Sequence, residues 1–440
     1  MIIFFRIALR NTLKNWRKSL AAIASIAVAF LSLVLFQGYI INVNQMYEDG
    51  FSSRAMYGNL IVENKDAQSN AARLEPEKYH VTKEEQDLIQ GFLDKHRDQV
   101  KTRVRFLSAA GTVTNGRNSY LFAAVGYDLK EGAVMREPHW VWDTLYGKPL
   151  HLSQDPSAVT LGQSLGYLVG CVPDRPSANM VQNDGYVAED RPFHCEASQL
   201  QMSATTFTGQ VNAMDVNVVG LIDAGYKDVD EIWIKTSLPL IQTLLNTDRI
   251  RFMAVLLKDP EGVQNFAASM NQYFADQGRP LRAVHWMDHP MAQLYRQTKS
   301  LLRIFHVFIT CVILVIVGLS VFNTVLKNVK ERTREIGMLR SLGYRPRQIS
   351  LIFLIEAAGI CLVGVGLGIV IAILSTALIN QLKIMYKAGL LSLPVIFRIA
   401  YDFQGYLICA ILLVLLAMVT SFFAVRSTLQ KRVSENLTHV

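Results

Sequence analysis

Four stretches of the chain stay apolar far longer than a soluble core element needs. Residues 19–41 and 403–425 hold no Asp, Glu, Lys, Arg or His, 304–326 hold only His306, and 349–379 hold only Glu356. A bilayer core of about 30 Å takes about 20 helical residues, so each stretch predicts a spanning helix. Between the first two spans the pattern changes. Residues 43–300 alternate short apolar runs with amphipathic segments, which predicts strands at 59–63, 103–114, 119–127, 216–223, 231–235, 252–258 and 281–286. The same reading predicts helices at 83–95, 238–245 and 260–276, and a strand running into a short helix over 159–170. Asn115-Gly116 between two apolar runs is a strong hairpin signal. From about residue 290 a helical pattern continues without Gly or Pro into the second span, with Pro290 suited to a helix first turn. The predicted fold class is an α-helical four-span membrane domain with a mixed α/β domain inserted between spans one and two. Residues 171–208, loop-rich and holding Pro173, Pro176 and Pro192, read as an elaboration on that domain.

Charge sets the orientation. The chain is 51% hydrophobic and only 18% charged, below the roughly 25% usual for soluble proteins. Arg6, Arg10, Lys14, Arg17 and Lys18 precede span one, and Lys327, Lys330, Arg332, Arg334, Arg340, Arg345 and Arg347 lie between spans two and three. The 380–402 loop carries only Lys383, Lys387 and Arg398. Basic residues collect on the cytoplasmic side, which puts the amphipathic 1–18 segment, the 327–348 loop and the 426–440 tail there. The inserted domain and the short 380–402 loop fall outside. The net charge of +8 is thus mainly a topology signal, and with no separate basic domain a nucleic-acid partner is not expected. Span one exceeds a signal-peptide core and lacks a small-residue cleavage site after it, so it reads as a retained anchor.

Chemistry is sparse. The sequence has no G-x-x-x-x-G-K-[ST], H-E-x-x-H or C-x-x-C pattern. Ser164 lacks a G-x-S-x-G elbow and reads as structural. Gly364, Gly366 and Gly368 lie at membrane depth, where small residues let helices approach closely. Cys311, Cys361 and Cys409 fall in spans, leaving Cys171 and Cys195 as a pair in an oxidising compartment, either disulfide-bonded or as two buried thiols. No metal site is expected from them, since only His194 is nearby. Glu356 is a carboxylate about two turns inside span three. It either faces a helix bundle or water in a functional role, or snorkels to the cytoplasmic interface.

The charged stretch KNVKERTREIGMLRSLGYRPRQI (327–349) exceeds a minimal turn. It predicts a helix continuing out of span two, with Val329, Ile336, Leu339 and Leu342 as an apolar stripe, an αL stop at Gly343 and a new helix from Pro346. Small Gly337 and Ser341 would allow a partner to approach. On pattern alone this is either a surface amphipathic helix or a docking element. ERTREIGMLRSLGYRPRQISLIFLIEA running into GICLVGVGLGI resembles the signature of the FtsX/MacB/LolC-LolE permease family, the type VII ABC transporters. LRNTLKNWRKSLAAIASI, VTLGQSLGYLVG and VNVVGLIDAGYKDVDEIWIKTSLPLIQTLL resemble further segments of the family, including its periplasmic core domain. Residues 171–208 depart most from its pattern.

The resemblance implies a non-catalytic permease subunit lacking its own ATPase domain. A separate ABC ATPase, in two copies, would bind ATP and Mg, with no cofactor on this chain. Docking would centre on Arg334, Glu335, Ile336, Gly337, Leu339, Arg340 and Gly343, with Arg6, Arg10 and Trp16 beside the same partner. A second permease protomer, identical or paralogous, would complete an eight-span transporter of the bacterial inner membrane. ATP would drive conformational work outside the membrane, extracting lipoproteins or lipids or driving an efflux assembly, with a lipoprotein or a periplasmic adaptor as a further partner. The alternative is an FtsX-like regulator that activates an outside cell-wall hydrolase, and a third reading is a membrane sensor without ATP coupling.

Overall fold

The computed structural model describes residues 16–175, 189–387 and 394–429. The 1–15 part of the amino-terminal segment, with Arg6 and Arg10, lies outside these residues, as do most of the tail and the middle of the 171–208 stretch. Among the described residues four helices are long and apolar enough to cross a membrane, within Ser19–Arg54, Pro290–Glu331, Pro346–Leu382 and Phe403–Arg426. The chain divides into two compact units. One holds the spans (Met1–Asn44, Thr298–Ile384 and Phe397–Val440), and the other holds Gln45–Gln297 with Met385–Ile396.

In the second unit ten strands form one sheet. They are β1 (Leu60–Asn64), β2 (Val100–Thr114), β3 (Ser119–Tyr127), β4 (Thr144–Gly147), β5 (Ala158–Gly162), β8 (Leu200–Thr205), β9 (Val211–Ile222), β10 (Trp233–Ser237), β11 (Phe252–Leu257) and β12 (Leu281–His285). Between them β6 (Cys171–Pro173) and β7 (Phe193–Cys195) pair only with each other. The sheet runs β12-β1-β11-β2-β3-β10-β5-β9-β4, and β8 joins β2 to β9. That joint closes a pairing circuit through β2, β3, β10, β5, β9 and β8. Most pairs are antiparallel, but β10 runs parallel to β3 and β5 parallel to β9. Parallel partners need crossover connections, and the helix Gln163–Leu168 lies in the one from β5 to β9.

Local chemistry explains the elements. The β2–β3 turn spans Asn115–Asn118, where the Asn115 side-chain oxygen accepts from the Arg117 and Asn118 amides at 3.0 and 2.9 Å and Gly116 takes φ +85°. The helix Lys83–Lys95 opens with a reciprocal capping box between Thr82 and Glu85. The Ser164 amide donates to buried Asp230 at 2.7 Å, a structural tie. Two expectations are corrected here. Leu200–Thr205 is a strand of the main sheet, not part of the elaboration, and its buried Leu200, Met202 and Ala204 alternate with outward polar residues as an edge of a core demands. Second, β9 starts at Val211, because its first half pairs with β8.

Cys171 and Cys195 face each other across β6 and β7 and are joined by a disulfide. Cys171 is fully buried against the core under the sheet.

In the spanning unit, Gly364 and Gly368 of span three lie against span one. A Cβ on Gly364 would meet Ile26 at 2.9 Å, and one on Gly368 would meet Phe30 at 3.0 Å, whereas Gly366 has open space. The close approach read from the small residues is therefore made by two of the three glycines.

Candidate functional site: the loop between spans two and three

The helix of span two, Gln293–Glu331, ends one residue before Arg332, which adopts φ −107° and ψ 19°. A short helix, Thr333–Ser341, follows. The expected continuous helix is thus interrupted at Arg332, whose amide still bonds to the Asn328 carbonyl and whose carbonyl accepts from the Ile336 amide. Gly343 takes φ +88°, and its amide and that of Tyr344 bond back to the Arg340 and Leu339 carbonyls, closing the helix end as a left-handed cap does. Pro346 opens the helix of span three at its first turn.

Among the predicted docking residues the structure separates two sets. Arg334, Glu335 and Gly343 are exposed, and Leu339 and Arg340 are half-buried. Ile336 and Gly337 are buried within the spanning unit itself. Gly337 therefore packs inside this chain. Ser341 is exposed, with its hydroxyl donating to the Met338 carbonyl at 2.8 Å. Leu342, placed on the inward stripe by spacing alone, points out instead. Met338 and Leu342 are 57% and 70% exposed, four residues apart, with Arg334 a further four before them. This outward stripe joins one cation to two large apolar side chains. Met338 is not on the predicted stripe, which stays inward across the break at Val329, Ile336 and Leu339; only Leu342, at the helix C-cap, leaves it.

On the inward side lies a cluster of charges. Glu356, only 4% exposed, accepts a hydrogen bond from Arg332 Nη1 at 3.0 Å. Arg332 Nε donates to Glu335 at 2.9 Å, and its guanidinium lies 5.4 Å from the centroid of Phe353. The Ser421 hydroxyl of span four donates to the Phe353 carbonyl at 3.4 Å. The Glu356 carboxylate is buried and held by a cation from the loop, Arg332. No sequence spacing links residues 24 apart in this way.

The family model described as FtsX-like permease C-terminal matches residues 307–433, which take in this loop and spans two to four. Among curated proteins, the macrolide export ATP-binding/permease protein MacB of Bordetella avium (strain 197N) is 26% identical over 189 residues, covering 41% of this chain and 29% of that protein. MacB of Escherichia coli (strain K12) is 37% identical over 89 residues, 20% of this chain and 14% of its own length. The chain thus spans under a third of the length of these relatives. Of solved structures, the periplasmic region of MacB from Actinobacillus actinomycetemcomitans aligns over 55% of this chain and 92% of that one, at 11% identity and a TM-score of 0.33. The last three spans thus carry an FtsX-like permease domain, and part of the chain is similar to MacB-type permeases.

Proposed function

We propose that this chain is the permease subunit of an ABC transporter in a bacterial inner membrane. In this reading an ATPase outside these 440 residues binds ATP and Mg, and its movement is passed to the extracytoplasmic domain. The observation that carries the reading is the outward stripe of Arg334, Met338 and Leu342, on a short helix whose opposite side is anchored by Ile336 and Gly337. Two large apolar side chains left uncovered by this chain beside a cation are what a docking helix offers a partner groove. Glu335 and Gly343 border the stripe, and half-buried Leu339 and Arg340 set its inner edge.

Transmission would use the unbroken helix Gln293–Glu331, which begins in residues of the inserted domain and ends at the loop. A pair of such permeases with two ATPases would make a full transporter. Its work would be done outside the membrane, on lipoproteins or lipids of the outer leaflet or on an efflux assembly. The test is copurification from native membranes in mild detergent. An ATPase that accompanies the wild type and is lost in Arg334→Glu/Leu342→Glu supports the reading. An ATPase that accompanies both, or neither even after crosslinking, removes it.

A further inference from the structure

We infer that Arg332 is the positioning residue that fastens the short helix to span three, so that a pull on the loop is felt by that span. The inference deepens the function proposed above and rests on it for the source of the pull. Arg332 sits at the break between two helices, leaving helical geometry there while its amide still bonds to the Asn328 carbonyl and its carbonyl accepts from the Ile336 amide. Its guanidinium bridges that break sideways. Nε reaches Glu335 of the short helix at 2.9 Å, and Nη1 reaches Glu356 of span three at 3.0 Å.

The two bonds differ in surroundings. The Glu335 side chain is 62% exposed, and water can replace its contact, whereas the Glu356 side chain is 4% exposed. A carboxylate so placed has no access to bulk water in exchange for the guanidinium, so the Arg332–Glu356 bond is the one that resists separation. Phe353, one turn before Glu356, lies against the same guanidinium, and its carbonyl is held by Ser421 of span four. Displacing the short helix therefore draws on span three first, and on span four through Phe353. Ile336 is packed in the same core and keeps the helix seated, but an apolar contact can slide where a directed ion pair cannot.

Hydrogen exchange on the full chain in lipid nanodiscs tests the fastening, since local opening reports local anchoring. Glu356→Gln and Arg332→Gln should each speed exchange of amides 333–341 at least about tenfold, with the sheet of the inserted domain unchanged. Glu335→Gln should change it by less than about threefold, and the swap Arg332→Glu/Glu356→Arg should restore most of the protection. Unchanged protection of 333–341 in Glu356→Gln overturns the inference. The assembly with its copurifying ATPase, trapped by ATP and vanadate, adds a reading that simple loss of stability would not give. In the wild type the trap should alter exchange both in 333–341 and in the first turns of span three, and in Glu356→Gln only in 333–341. A trap signal that still reaches span three in Glu356→Gln also overturns it. If no ATPase accompanies the wild type, it is the proposed function that fails, and the exchange of the permease alone still decides whether Arg332 fastens the helix.

Discussion

Buried charges in the inserted domain are held by partners, and each sets a measurable consequence. Asp143 sits between Arg136 at 2.9 Å and Lys235 at 3.2 Å, with Arg136 fully buried. Burial, only partly offset by Asp143 and reinforced by Arg136 and Arg54, pushes the Lys235 ammonium down to about 8. Its unfolded form holds the proton up to about 10.5, so this group makes stability rise with pH between about 8 and 10.5. Replacing Asp143 by Asn strands two cations and should cost about 3–5 kcal/mol, read by denaturant unfolding followed by tryptophan fluorescence. The same change at exposed Glu196, paired with Arg117 at 3.7 Å, should be silent. His80, stacked on Phe207, is pushed down to about 4 by burial and by Arg251 and Arg249. Its folded form refuses a proton that the unfolded chain accepts near 6.5, so stability should fall as pH drops from about 6.5 to about 4. The loss is about 3 kcal/mol at 1.36 kcal/mol for each pH unit. A His80→Leu variant should lose that acid dependence, and an unchanged pH profile would refute the assignment.

At the scale of elements, legibility followed how local the cause was. The helix Lys83–Lys95 and the β2–β3 hairpin were readable because a capping box and Asn115-Gly116 act within a few residues. The spans were readable because length and apolarity alone make the case. Leu200–Thr205 was missed although its alternation is plain, since prolines and cysteines just before it suggested a loop and only β2 and β9 give it partners. The break at Arg332 was missed because nothing in ERTREIG forbids a helix. At that break the Arg332 side chain meets a partner 24 residues away, Glu356. Leu342 leaves the stripe that Val329, Ile336 and Leu339 keep because it is the C-cap, past the last residue of the short helix. Glycine placement makes a further prediction. Gly364→Val and Gly368→Val drive a side chain into Ile26 and Phe30 and should lower thermal stability of the solubilised protein markedly. Gly366→Val enters open space and should be tolerated. An equal loss from all three would argue that the close packing of spans one and three is not what the glycines serve.

For the whole molecule, a wide basic bias near the span ends and a large inserted sheet domain fit a machine that is driven from one side and works on the other. The central claim is that the loop between spans two and three is where an ATPase grips this permease. It is tested most directly by placing a photo-crosslinking amino acid at Leu342 in native membranes and identifying what it captures by mass spectrometry, with buried Ile336 as the control site. A polypeptide carrying a nucleotide-binding domain should attach at Leu342, be absent at Ile336 and be lost when Arg334 is reversed to Glu. Capture at Leu342 of lipid alone, or of proteins without a nucleotide-binding domain, would contradict it.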